Sequence, residues 1–365
     1  MKTHKTLILN TAAVAVFCGA TLAGLPALAA GTKAAPAVEV SIDSLDLRVD
    51  GVKGLVNSSN SFNAYVNPYM RLSIKSSTGV TITTDIDLTK ITSGDTLRTD
   101  GDLNHIIHRL AASYSISNSQ SIMAGLTRVA FGPDKNADED GRTIFGNGQN
   151  KLTNLDERLA ASYQFQLEGA TITASIFSSA SAPPPNAGSK VSFQDLMDPR
   201  LGKSGDISGA VKASRDLGDL SSILKDVKAS VSYAWVRQDG KDSEHRFYAE
   251  LNKNFNIGKV AIEALASYAH IMNTNASDKD VDSWLAYAHA TYGNSPWGLY
   301  CQFDRTDGEN RIEGGVDYSQ TGTMVNTKVM VGVFADNFTE SDRSVGLGAS
   351  ASFSMAQPLS VLKVE

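Results

Sequence analysis

The chain has 365 residues, 33 basic side chains against 39 acidic, a pI near 5.6 and a mean hydropathy of −0.16. That hydropathy excludes a helical polytopic membrane protein, and the near balance of charge argues against a nucleic-acid binder. An apolar content of 42% with 20% charged residues argues against a disordered chain. Two cysteines, Cys18 and Cys301, are too few for a disulfide framework or a zinc site.

At the start of the chain, Lys2 and Lys5 precede an apolar stretch over residues 11–25 and then Ala27-Leu28-Ala29, an A-x-A cleavage pattern. The expectation is a signal peptide over residues 1–29 and an exported mature chain forming a single domain over residues 30–365. Cleavage removes two lysines and no acid, so the net charge of −6 becomes −8. The apolar stretch is short for a spanning helix and Pro26 interrupts it. Cys18 lies inside that stretch behind Phe17, where a lipoprotein needs a small residue. Cys301 is then the only thiol of the mature chain, expected as a small apolar packing residue.

Beyond Gly31 no apolar run approaches the roughly 18 residues of a spanning helix. Period two recurs instead. Over residues 62–75, Phe62, Ala64, Val66, Met70, Leu72 and Ile74 share one face, while Asn63, Asn67, Arg71, Ser73 and Lys75 share the other. A strand so patterned has one face in an apolar medium and one in water. The split returns over residues 80–88, 159–167, 170–177, 227–236, 260–268, 284–292, 297–303, 325–335 and 345–353. Weaker members lie at 38–49, 106–117, 120–131, 207–215, 245–255 and 311–319, which brings the count to sixteen.

The connections alternate between short and long. Residues 76–79, 118–119, 168–169, 256–257, 294–295 and 321–323 read as short turns, and longer or more polar loops lie between them, 306–310 included. Residues 216–225 break the rule and are expected to carry a helical turn. An even number of antiparallel strands, short turns at one end and long loops at the other, is how a transmembrane up-and-down β-barrel is built. The predicted fold is therefore all-β and closed, because no backbone group stays unpaired in lipid. Aromatic residues recur at the ends of the apolar faces: Phe62, Tyr114, Trp235, Phe255, Tyr268, Trp284, Tyr292, Trp297, Tyr318 and Phe353. Such rings form interfacial girdles.

With a signal peptide, sixteen amphipathic strands, an acidic mature chain and a long third loop, the sequence resembles the general porins of Gram-negative outer membranes. The last strand, Gly346 to Phe353, is similar to the assembly signal of barrel proteins, although residues 354–365 continue past its aromatic end as a C-terminal extension. The resemblance implies a homotrimer in outer-membrane lipid that passes small hydrophilic solutes and ions. It also implies that the third loop, residues 132–156, folds inward and narrows the channel, so that Asp134, Asp138, Glu139 and Asp140 form the acidic side of a constriction.

Sixteen strands enclose an interior too wide for side chains to fill, so an aqueous channel is expected, its selectivity set by width and lining charge. The water-side alternation puts Arg71, Arg109 and Arg158 in that lining, and against the acidic loop they would set up a transverse field. Each arginine could equally pair with a carboxylate such as Asp85 or Asp87. Within the loop, Asn136, Asp138 and Asp140 match the first half of an EF-hand-type calcium loop. Position twelve is Asn147 where a bidentate Glu belongs, so no metal or other cofactor is assigned. No G-x-S-x-G or H-E-x-x-H occurs, and a non-enzymatic role is expected; catalysis would need a histidine bonded to a Ser or Asp at the rim. The alternatives are a substrate-specific channel or surface adhesin on the same barrel, and an exported soluble β-sandwich whose apolar faces pack against one another.

Overall fold

The computed structural model describes residues 38–56, 69–87, 107–133, 144, 149, 153, 155, 158–178, 207–237, 242–273, 280–338 and 343–364. The expected signal peptide and Phe62 lie outside them. The strands, in chain order, are β1 Val38–Val56, β2 Tyr69–Ser76, β3 Val80–Asp87, β4 Ile107–Ser117, β5 Gln120–Thr127 and β6 Arg158–Leu167. They continue with β7 Ala170–Ser178, β8 Ile207–Asp216, β9 Val227–Val236, β10 Glu244–Ile257, β11 Val260–Met272 and β12 Val281–Tyr292. The last are β13 Trp297–Thr306, β14 Glu309–Gln320, β15 Val325–Asp336, β16 Ser344–Met355 and β17 Leu359–Val364. A single 3₁₀ turn, Ser222–Leu224, sits in the β8–β9 connection where the sequence suggested a helical turn.

Each strand from β2 to β16 pairs antiparallel with its sequence neighbours, and β1 closes the ring. Its first half takes β2, from Val38 opposite Ser76 to Asp46 opposite Tyr69. Its second half takes β16, from Asp46 opposite Ser354 to Val56 opposite Val345. Among the described residues the wall thereby returns on itself as an all-β, up-and-down barrel of sixteen strands with a seventeenth appended.

That seventeenth strand accounts for the C-terminal extension. After Met355 the chain kinks at 356–358, where Pro358 has no N–H to give to the ladder. β17 then resumes alongside the start of β1, with Leu359 opposite Ile42 and Val364 opposite Val38. The extension is thus the last strand continued past a break, and the β15–β16 register ahead of it runs unbroken from Val325–Met355 to Asp336–Ser344.

One expectation fails at the connections. Residues 306–310 read as a long loop but are a two-residue turn, Asp307 (φ 50°) and Gly308 (φ 86°). An Asp-Gly pair accepts the two positive φ angles of a type I′ hairpin, so strand pairing runs to the turn itself. Short and long connections therefore do not alternate strictly.

The distribution of burial is the reverse of that in a water-soluble protein. On β14, Ile312 and Val316 are 48% and 40% exposed, whereas Glu313 and Asp317, on the other face, are 1% and 2% exposed. On β13, Trp297 and Leu299 are exposed outward while Gln302 and Asp304 are buried inward. A sandwich packed face to face would hide the isoleucine and show the glutamate. Outward rings gather at both strand ends: Tyr268 meets Trp284 at 4.3 Å between centroids near the long-loop end. Trp297 meets Tyr318 at 5.0 Å near the short-turn end. Cys301 also points outward and is exposed, so it is not the interior packing residue its sequence context suggested.

An arginine placed on this outer belt has no water to solvate its charge. Val316→Arg, near the middle of β14, is expected to cost about 2–4 kcal/mol, whereas Thr83→Arg on the inward face of β3 stays within about 0.5 kcal/mol of the parent. Urea unfolding of detergent-refolded barrels measures both. Equal midpoints for the two variants would contradict an outer surface in hydrocarbon.

Candidate functional site

Inward side chains lie flat along the wall because glycines on neighbouring strands leave room for them. His289 of β12 reaches across β13 to Asp317 of β14, Nε2 to Oδ1 at 2.8 Å. A Cβ on Gly298, which lies beneath that bridge, would come within 2.3 Å of Nε2 and 2.5 Å of Oδ1. Tyr300 lies over the Gly315–Gly332 pair, its hydroxyl donating to Glu313 Oε1 at 2.9 Å. A Cβ on Gly332 would stand 2.4 Å from that hydroxyl. Phe334 crosses Gly346 in the same manner. Side chains folded sideways leave the middle of the ring open.

The described residues of the third long loop enter this interior. At its base, Val129, Phe131 and Leu155 are each 1% exposed and pack into a dry cluster against the inward Ala160, Ala210, Ala234 and Ala269. Small inward residues on β6, β8, β9 and β11 provide the space these larger ones occupy. Phe131 meets Tyr248 edge-on at 6.5 Å. Gly132 (φ 70°) is held on both sides: its N–H donates to Ser232 Oγ at 3.0 Å, and Lys212 Nζ donates to its carbonyl at 2.7 Å.

Farther along the loop, Gln149 Nε2 donates to the Ser283 carbonyl at 3.2 Å while its Oε1 accepts from Ser267 Oγ. Thr153 Oγ1 donates to the Gln149 carbonyl at 3.0 Å. Ile144 is seated against Leu265, Tyr287, Tyr300 and Met330, and its N–H donates to Glu313 Oε1 at 2.8 Å. The loop leaves the wall between β5 and β6, and β14, which carries Glu313, is eight strands round the ring from β6. These contacts cross the interior.

The residues singled out in the sequence divide into two groups. Asp134, Asp138, Glu139 and Asp140, together with the calcium candidate Asn136, lie outside the described residues. Arg71, Arg109 and Arg158 fall in one row of the ladder. Arg71 is opposite Asp85 and Asp85 opposite Arg109, while Arg158 is opposite Thr127. Leu110 opposite Leu126 carries the row from Arg109 to Thr127. Arg71 and Arg109 are half-buried, with an Arg109 Nη2 3.6 Å from Met123 Sδ. Arg158 is buried, only 8% exposed. β13 and β14 carry Asp304, Glu313 and Asp317, all buried and inward, and Arg311 of β14 pairs with Asp336 beside them.

Glu313, Asp317, Tyr300 and Gln149 were not selected from the sequence. The period-two rule over residues 311–319 places Glu313 and Asp317 on the water side, so their facing was legible although their partners were not. Two histidines bond carboxylates: His289 to Asp317, and His270 to Asp282 at 2.9 Å near the long-loop end of β11. Tyr268 donates to the same Asp282 oxygen. The His270–Asp282 pair is a histidine bonded to an aspartate near the rim.

Lys212 tests the hold on the loop base. Lys212→Met removes a charge-assisted hydrogen bond while keeping the stem, and is expected to lower stability by about 1.5–3 kcal/mol. Urea unfolding followed by tryptophan fluorescence reads the change, and an unaltered midpoint would show that the Gly132 carbonyl is not held this way.

No family model matches the sequence, and no curated protein matches it either. Solved structures do. The anion-selective porin from Comamonas acidovorans superposes with a TM-score of 0.54 at 11% identity, covering 88% of this chain and 100% of that one. The Salmonella typhi OmpF complex with daunomycin gives 0.54 at 10% identity, with 87% and 97% covered. The in-vitro folded OmpT of Vibrio cholerae, in trimer form, gives 0.50 at 10% identity, with 88% and 100% covered.

Proposed function

We propose that this chain, which has the fold of the bacterial outer-membrane porins, forms a water-filled channel in the outer membrane for passive diffusion of small hydrophilic solutes and ions. The observation that carries the reading is the inverted wall: an apolar outer belt with aromatic ends around an interior lined by Ser, Gln, Asp, Glu, Lys and Arg. Such a wall is stable only where lipid lies outside and water inside. A signal peptide over residues 1–29 agrees with that destination, and the OmpT trimer supports a homotrimer here.

In the mechanism, selection is by width and field rather than by covalent chemistry. Ile144 and Gln149 of the third loop bond the wall at Glu313, Ser267 and Ser283. Arg71 and Arg109 stand half-buried on β2 and β4, and Asp304, Glu313 and Asp317 are buried on β13 and β14. In this reading Asp134, Asp138, Glu139 and Asp140 of the loop face Arg71 and Arg109 across the narrowest section, orienting dipolar solutes. Arg158, buried opposite Thr127, stands at the end of the same row in this reading.

Planar-bilayer recording tests the function. Purified protein is expected to give discrete, ohmic, weakly selective channels. Silent bilayers, or a conductance blocked by one solute class at low concentration, would favour the adhesin or substrate-specific channel instead. Neutralising three loop acids together, Asp138→Asn, Glu139→Gln and Asp140→Asn, is expected to shift the reversal potential in a salt gradient towards anion preference. No shift would put that cluster outside the constriction.

A further inference from the structure

We infer that the outer wall carries a binding site for a zwitterionic glycerophospholipid, its phosphodiester held between Arg215 and Lys253 at the short-turn end and its ammonium by Asp219. This rests on the lipid-facing wall and not on what passes through the channel. Along β8, Lys212 turns inward to bond the Gly132 carbonyl, while Val211 is outward and 43% exposed. Arg215 shares the face of Val211 and stands one residue before the strand ends. On β10, Leu251 is outward and exposed, and Lys253 shares its face, with Nζ 5.9 Å from the centroid of the Phe255 ring. Two cations thus stand on an otherwise apolar stretch of wall.

Arg215 is half-buried, its Nε is buried without a hydrogen-bond partner, and among the described residues its guanidinium makes no ion pair. A buried donor without an acceptor is costly, and outside the barrel the acceptor has to come from the lipid. Arg215 is opposite Ala229 and Lys253 opposite Val227, both on β9, so the cations flank one strand of short side chains, with about 10 Å between their own strands. Both side chains are long enough to close on one phosphate lying over β9. A guanidinium fork takes two phosphate oxygens, and the ammonium adds a point charge beside them.

The neighbouring carboxylate selects the headgroup. Asp219 is exposed in the β8–β9 connection, beyond the strand ends. Its Oδ2 lies 3.3 Å from where a Gly169 Cβ would stand, and Arg215 Nε lies 4.0 Å from the same point. A lipid whose acyl chains run along Val211 and Leu251 puts its phosphate at the two cations and the group beyond the phosphate at Asp219. A primary ammonium there donates to the carboxylate, whereas a glycerol headgroup brings no cation and a trimethylammonium no N–H.

Native mass spectrometry of the refolded full chain in detergent carries the test, with palmitoyl-oleoyl phosphatidylethanolamine, phosphatidylglycerol and phosphatidylcholine as competing probes. One retained ethanolamine lipid per barrel, favoured over both competitors, is expected. Arg215→Gln combined with Lys253→Gln is expected to weaken its retention about tenfold or more. Asp219→Asn is expected to abolish the preference over phosphatidylglycerol while a lipid is still held. Arg305→Gln, which removes an exposed arginine opposite Trp284 near the long-loop end, stays at the parental level. An equal loss in that variant would reduce the site to diffuse surface charge and overturn it. Equal retention of the three lipids by the parent also overturns it, and that reading needs no variant to fold; so does unaltered retention in the Arg215 and Lys253 double variant. A parent that inserts into vesicles and conducts but shows no lipid preference overturns this site alone, whereas a chain that stays out of vesicles overturns the membrane reading as well.

Discussion

Backbone amides and carbonyls cannot be left unpaired in hydrocarbon, and the whole architecture follows from that demand. A sheet whose outer face is valine, isoleucine, leucine and tryptophan has to end nowhere. β1 meets the demand by serving two neighbours in succession, β2 with its first half and β16 with its second, and β17 supplies the partner that β16 withdraws below the kink. Pro358 interrupts the ladder without opening it, because the strand resumes on the same neighbour.

Closure forces the polar groups inward, and a ring this large cannot fill itself. The wall answers with side chains laid sideways: histidine to aspartate over Gly298, tyrosine to glutamate over Gly315 and Gly332, phenylalanine over Gly346. The first two pairings give a buried oxygen of Asp317 and of Glu313 a partner on the wall itself, where an isolated buried carboxylate would be costly. Space in the middle is left for water and for the third loop. The loop enters because the wall presents apolar seats at both ends of its path: alanines beneath Phe131 and Leu155, and tyrosines beside Ile144. Inward charge of both signs occurs on the same arc: Asp85 lies between Arg71 and Arg109, and Arg311 of β14 pairs with Asp336 beside Glu313 and Asp317.

The strands were legible before any coordinates because a membrane wall has the simplest of patterns. On β2, Ser73 is buried inward and Ile74 is 40% exposed outward, as the alternation over residues 62–75 requires. Each of the first sixteen described strands overlaps a segment marked by period two, although β1 runs past residue 49 to Val56 and β5 ends at Thr127. The turn at Asp307–Gly308 was misjudged as a loop because five polar residues look alike whether they form a loop or the ends of two strands, and only the paired positive φ angles separate the cases. Cys301 was misplaced for a related reason: in water an apolar cysteine hides, whereas in lipid it need not. The row holding Arg71 and Arg109 could not be seen, since register depends on turn geometry several strands away.

What the sequence determined by itself is which way each side chain faces, since that depends only on the parity of its position within a strand and on the two solvents the wall separates. Which inward residues meet was decided by the tertiary structure alone. Glu313 and Ile144 are 169 positions apart and reach one another only because the ring closes and the loop turns inward. Neither event leaves a local pattern, for both depend on the summed stagger of all the strands, a property of the ring and of no segment within it.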